Sequence, residues 1–243
     1  NQRYLDQKIV HKLSYLIITC NVFYVYFFKM IIWLASYPKS GNTWVRLFLN
    51  SLFYSENKVD INNVKIQQFP NKKYFKNILK KFSSVETIIN NCLDAQYAIN
   101  LDSRIKFLKT HSSCWRTDKT TFTNFENTLG VIHIVRDPRN VITSLKNHYN
   151  KKSYENTLEF MKDEKKFIGS KNFEEEFDIP TLISSWSNHY KSWSKFDKNY
   201  LLVKYEDLIK DSKNEFMKIT NYVKKISNLE LNADLDKIVD NCS

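Results

Sequence analysis

Two stretches of this chain share one design. In the first, the apolar run "IIWLA" (Ile31 to Ala35) is closed by "SYPKSGN" and passes directly into "TWVRLFLNSLF", whose apolar residues fall at helical spacing. In the second, "VIHIV" (Val131 to Val135) is followed by Arg136, Asp137 and Pro138, and then by the helix-spaced "RNVITSLKNHY". Short runs that are apolar at every position read as strands covered on both faces. Asp137 and Pro138 suit the N-cap and first turn of a helix that extends to the region of Asn147. "IKFLKTH" supplies a further strand, and "NYLLVKYEDLIKD" another with a helix behind it. Strands alternating with helices predict an α/β fold, a three-layer arrangement with a central parallel sheet flanked by helices and ligands at the carboxyl ends of the strands. In "TLISSWSNHYKSWSKF", Leu182, Trp186, Tyr190 and Trp193 recur at helical spacing and predict a core-facing stripe, with His189 as part of the same packing.

A chain of 243 residues suffices for one large domain, and no proline- or glycine-rich linker and no repeat divides it. The polar "NVKIQQFPNKKYFKNILKK" reads as an insertion, and the charged segment from Tyr154 to Asp178 as a helix plus a mobile flap. The net charge of +11 would suit a phosphate-bearing ligand. The lysines are scattered, however, and the wealth of Lys, Asn, Ile, Phe and Tyr is what AT-rich coding DNA produces, so a solvated basic surface is expected and nucleic acid is not expected as a partner. Cys20, Cys92, Cys114 and Cys242 have no paired short spacing, which predicts reduced thiols in a cytoplasmic protein. "SYLIITCNVFYVYFF" is apolar over 15 residues, short of the roughly 20 that span a bilayer. Residues 1–29 are therefore read as an upstream extension before a natural start at Met30, with a short membrane segment through residues 14–28 as the alternative.

Only three glycines occur in the chain, and one of them, Gly41, stands in the first loop. Between a buried parallel strand and a helix, free backbone N–H groups and the helix dipole attract a phosphate, and glycine lets the backbone approach it. Ser40 and Thr43 add hydroxyls, Lys39 adds a mobile cation, and Asn42 completes the turn. This is a phosphate cradle, though not the kinase pattern, in which lysine follows the second glycine. Trp44 offers a face for a purine or, equally, a core side chain.

"YPKSGNTW" resembles the 5'-phosphosulfate loop of the sulfotransferases that use 3'-phosphoadenosine 5'-phosphosulfate (PAPS). "VRDPRNVITSLKNHY" is similar to their second signature, a strand-end arginine with a serine eight residues later, here Arg136 and Ser144. "FLKTH" resembles the strand that delivers the catalytic histidine, and "VKYEDL" the family's Y-E-D element. The four matches lie in the family's order between Ile31 and Leu208. The resemblance implies a P-loop-like fold over residues 30–243, PAPS as sulfate donor, no metal, and a hydroxyl or amine acceptor that is a small molecule or carbohydrate. It implies Lys39 and His111 as catalytic residues, and Lys39, Ser40, Gly41, Asn42, Thr43, Trp44, Arg136, Ser144 and Tyr205 as the PAPS-binding set, with Tyr205 near the adenine. The family's third cofactor element, a basic glycine-containing loop, has no counterpart before "DKIVDNCS", which predicts a domain incomplete at its C-terminus.

In-line sulfuryl transfer, like phosphoryl transfer, needs charge stabilised on the leaving oxygen and a base for the entering group. Lysine and a neutral imidazole meet those needs. Lys109 shares the strand face of His111 because strand side chains repeat every two residues, and its orientation, toward the site or toward solvent, stays open. Two other readings compete: a membrane-anchored carbohydrate sulfotransferase, and a non-catalytic nucleotide- or polyanion-binding module. The acceptor is expected to be selected by segments around Phe69 to Lys81 and Tyr154 to Asp178.

Overall fold

A computed structural model describes residues 29–54, 64–169 and 179–229, together with Leu235, Ile238 and Val239. The expected membrane segment or extension before Met30, part of the expected flap, Cys20 and Cys242 lie outside the described residues. Among those described, no helix is long and apolar enough to cross a membrane.

The strands are β1 (Ile31–Ser36), β2 (Gln67–Gln68), β3 (Lys106–Thr110), β4 (Thr128–Val135) and β7 (Tyr200–Lys204), with the short pair β5 (Phe167–Ile168) and β6 (Thr181–Leu182) apart from them. The main sheet runs in the order β2-β3-β1-β4-β7, and every pairing is parallel. The helices are α1 (Asn42–Tyr54), α2 (Val85–Asn90), α3 (Cys92–Asn100), α4 (Pro138–His148), α5 (Tyr154–Lys162), α6 (Trp186–Ser194), α7 (Tyr205–Lys210) and α8 (Ser212–Ser227).

β1 is buried at all six positions because both of its faces are covered. Ile32 and Leu34 point to one layer, where Val45, Phe48 and Leu49 of α1 meet Phe216, Ile219 and Val223 of α8. Ile31, Trp33 and Ala35 point to the other, with Phe69, Cys92, Ala95, Phe122 and Trp193. The period of two along a strand thus produces the three layers. Trp33 is wholly enclosed, its indole N–H donating to the Thr128 hydroxyl at 3.0 Å, so the one polar atom of a large side chain is satisfied. Cys92 and Cys114 are free thiols, and burial pushes each up to about 12.

Two expectations need correction. The stretch read as an insertion is part of the core: β2 extends the sheet edge beside β3, and Val64, Ile66, Phe69 and Phe75 are buried. Its apolar residues are too widely spaced for a recognisable strand run, and the sheet edge supplies the partner that local sequence lacks. The helical stripe begins later than expected, because the Ser185 side chain accepts from Asn188 N–H and caps α6, leaving Leu182 in β6. Trp193 is core, whereas Trp186 and Tyr190 stack on one another at 6.1 Å and are half-buried.

The helix after β4 starts as the sequence requires. Asp137 caps it by accepting from Arg139 N–H at 2.8 Å, with Pro138 in the first turn.

Candidate active site

β1 ends in a loop whose geometry is unusual for side-chain-bearing residues. Lys39 and Gly41 both have positive φ, +66° and +95°. A lysine in the left-handed region is strained, and such strain persists where the surrounding structure fixes it. The Asn42 side-chain amide donates to the Leu34 carbonyl at 3.0 Å and to the Ser36 hydroxyl at 3.1 Å, pinning the loop to β1. The turn then enters α1, where Trp44 N–H donates to Gly41 O at 3.1 Å.

Arg136, at the end of β4, reaches across to this loop. Its Nη1 donates to the Lys39 carbonyl at 3.2 Å, and its guanidinium lies 4.4 Å from the centre of the Tyr205 ring. Tyr205 in turn packs on Gly41 so closely that a Cβ there would lie 2.3 Å from Tyr205 Cδ2. Lys39, Gly41, Arg136 and Tyr205, drawn from three segments, therefore form one cleft. The neighbouring Asp137 pairs with Arg139, and Arg136 Nε is buried without a partner. Ser144 stands half-buried on α4 beyond Arg136. Thr43 is exposed in the first turn of α1, its hydroxyl free at the positive end of the helix.

Three members of the expected binding set are turned elsewhere. Asn42 spends its amide on β1, so what it offers an anion is its main-chain N–H. Ser40 is 1% exposed with its hydroxyl buried and unpartnered, and it lines a cavity under the loop with Tyr37, His133 and His189. Trp44, half-buried, stands perpendicular to Phe216 of α8 at 5.6 Å and packs against the core on that side. Its position in the first turn of α1 faces α8, which sequence spacing could not reveal.

His111 follows β3, which pairs with β1. Its Nδ1 is 2.8 Å from the Ser36 carbonyl oxygen and 3.2 Å from the Ser36 hydroxyl. A carbonyl only accepts, so Nδ1 carries the proton and Nε2 keeps its lone pair, the tautomer required of a base. Burial, reinforced by the charges of Lys109, Arg46 and Lys39 and opposed by the Ser36 carbonyl, holds the imidazole well below its ordinary value. It is neutral at physiological pH.

Lys109 faces the site: its Nζ donates to Gln68 Oε1 at 3.0 Å, and its charge acts on His111. Burial, with the positive charge of Arg46 second, lowers it to about 8. Arg46 is half-buried on α1 with Nε buried and unpartnered, and burial lowers it as well. Sequence reasoning missed Arg46, although a cation within the first turns of a helix opposes the helix dipole and was a readable signal. Three cations, Lys109, Arg46 and Lys39, thus act on His111.

Fold and cleft together define a three-layer α/β domain of the P-loop-like class, with the cleft at the end of its first strand. Within that class the chain belongs to the sulfotransferase domain family, whose pattern matches residues 30–243. It is 24% identical over 211 residues to an amine sulfotransferase of Oryctolagus cuniculus, covering 83% of this chain and 59% of that protein. It is 26% identical over 208 residues to sulfotransferase 1 family member D1 of Mus musculus, covering 79% of this chain and 58% of the relative. The chain spans about six tenths of the length of these curated relatives. Among solved structures it resembles mouse sulfotransferase SULT7A1 complexed with PAP, with a TM-score of 0.54 and 19% identity, over 88% of this chain and 63% of that one. At that identity the likeness speaks for the fold.

Proposed function

We propose that this chain transfers a sulfuryl group from PAPS to a hydroxyl or amine of a small acceptor, acting in the cytoplasm. The observation that carries the reading is the contact of Arg136 with the Lys39 carbonyl and the Tyr205 ring. It unites two phosphate-seeking elements in one cleft, with the Nδ1-protonated His111 at the end of the adjoining strand. PAPS fits the groups present: the main-chain amides at the start of α1 follow directly on the loop, and Arg136 Nε is a buried donor lacking an acceptor. When bound, PAPS supplies a sulfuryl group activated by a phosphate leaving group.

Each residue then has a distinct task. Loop amides and Thr43 hold the 5' side at the positive end of α1. Lys39 sets its charge against the oxygen on which negative charge grows. Arg136 and Ser144 grip the 3'-phosphate, the guanidinium fork matching its oxygens, and Tyr205 supports the arginine from below. His111 takes the acceptor proton at Nε2 while the Ser36 carbonyl steadies the charged ring that results. Lys109 and Arg46 add positive charge beside the transferring group. The acceptor is selected by the segments after β2 and around α5, although Phe69 and Phe75 themselves are core residues.

Calorimetric titration tests the donor assignment. Adenosine 3',5'-bisphosphate should bind at least about tenfold more tightly than AMP or ATP, since one charge-assisted contact set is at stake. Equal affinities would remove Arg136 and Ser144 from the 3'-phosphate role.

A further inference from the structure

Under the phosphate loop lies a small cavity of about 10 Å³, room for the centre of one water, lined by Tyr37, Ser40, His133, Trp186, His189 and Tyr190. Three polar side-chain atoms of these residues lack a partner: Tyr37 Oη, Ser40 Oγ and His189 Nε2. Their residues are only 3%, 1% and 1% exposed. Buried polar groups are satisfied by protein or by water, and three such atoms around a space of this size are the usual surroundings of a bound water.

The other side of the His189 ring faces the main chain of the base. Main-chain groups of His111 and Ser112 adjoin the ring, and its Nε2 is buried without a partner. Helix α6 holds the same segment twice more: Trp193 Nε1 donates to Ser112 O at 2.9 Å, and the Ser192 hydroxyl accepts from Cys114 N–H at 2.9 Å. Tyr37 meets His189 edge to face with ring centres 5.6 Å apart. His133, 5.9 Å from His189, has its Nδ1 2.7 Å from the Tyr200 hydroxyl.

We propose that this cavity holds one structural water linking Tyr37, Ser40 and His189, and that His189 is a positioning residue which, through that water, fixes the main chain of His111 relative to the phosphate loop. The water gives one proton to His189 Nε2 and the other to Ser40 Oγ, and it accepts from Tyr37 Oη, so every group in the wall is satisfied. Lys39 and His111 sit on separate strands. Their separation sets the line between leaving oxygen and entering nucleophile, and a displacement of about 1 Å there can cost on the order of 10²-fold in rate. Burial keeps His189 neutral, as the arrangement requires. The consequence for rate rests on the sulfotransferase reading; the water and the tautomer do not.

The test pairs structure with spectroscopy. A crystal structure of this chain should show an ordered water within hydrogen-bonding distance of all three atoms, and imidazole 15N shifts should report His189 protonated at Nδ1. In Tyr37→Phe the water should be lost or displaced and the His189 Nε2 resonance should move as its hydrogen bond to the water is lost. His189→Gln, which keeps a donor and an acceptor, should retain the water. With PAPS and 2-naphthol, Tyr37→Phe should lower kcat by about tenfold, and His189→Leu by on the order of 10²-fold, while both bind adenosine 3',5'-bisphosphate as the unaltered chain does. A dry cavity, or a His189 Nε2 resonance unmoved in Tyr37→Phe, overturns the proposal whatever the enzyme does. Absence of turnover by the unaltered chain would count against the functional reading and leave the water and tautomer to decide this one.

Discussion

Replacing Gly41 with alanine should damage the cleft in a way that can be traced atom by atom. The new methyl would lie 2.3 Å from Cδ2 and 2.8 Å from Cε2 of Tyr205, both far inside van der Waals contact. The backbone at φ +95° penalises any side chain, by about 1–2 kcal/mol. The ring has to move, and with it goes the support under the Arg136 guanidinium, a cation–π contact worth about 0.5–2 kcal/mol. Together these predict that adenosine 3',5'-bisphosphate binds roughly 10- to 700-fold more weakly by isothermal titration calorimetry, on a protein that thermal denaturation shows to be folded. Tyr205→Ala alone should weaken binding by about fivefold, the loss of roughly 1 kcal/mol. The double variant is the decisive measurement. Removing the ring removes the clash, and the ring's support of Arg136 is already lost in Gly41→Ala, so the double variant should bind no more weakly than Gly41→Ala alone. Strict additivity within about 0.5 kcal/mol, or wild-type binding by Gly41→Ala, would refute the claim that the ring and the glycine occupy one packed cleft.

His111→Ala should cost about 10²- to 10⁴-fold in kcat, read by release of adenosine 3',5'-bisphosphate from PAPS, while leaving its binding intact. The pH profile of kcat/KM for PAPS follows from the free protein: His111 stays neutral down to well below its usual range, so the rate should hold through mildly acidic pH. Lys109 loses its charge as pH rises through about 8, so the rate should fall there, and Arg46→Gln should move that fall to higher pH by removing a like charge. Trp33→Ala empties a fully buried site and breaks the bond to Thr128, and chemical denaturation should show a loss of about 3–5 kcal/mol.

Much of the architecture was present in local sequence because short-range physics dictates it. Apolar runs at Ile31–Ala35 and Val131–Val135 form buried strands, Asp137 and Pro138 start α4, and Gly41 opens the phosphate loop, each through neighbours a few residues away. Lys39 and Gly41 were legible in the loop itself, and His111 and Arg136 through the family resemblance, each standing where a strand has just ended. What the sequence left open depends on groups remote along the chain. Arg136 finds the Lys39 carbonyl across 97 residues, and Ser36 sets the tautomer of His111 across 75. Whether Lys109 faced the site was decided by Gln68, on a strand too short to show in the sequence pattern. Ser40 and Trp44 sit within the motif, yet their side chains turn inward because α6 and α8 close on the loop from either side. Local periodicity names the residues of a strand end, but only packing between layers determines which of them meet one ligand and which hold the others in place.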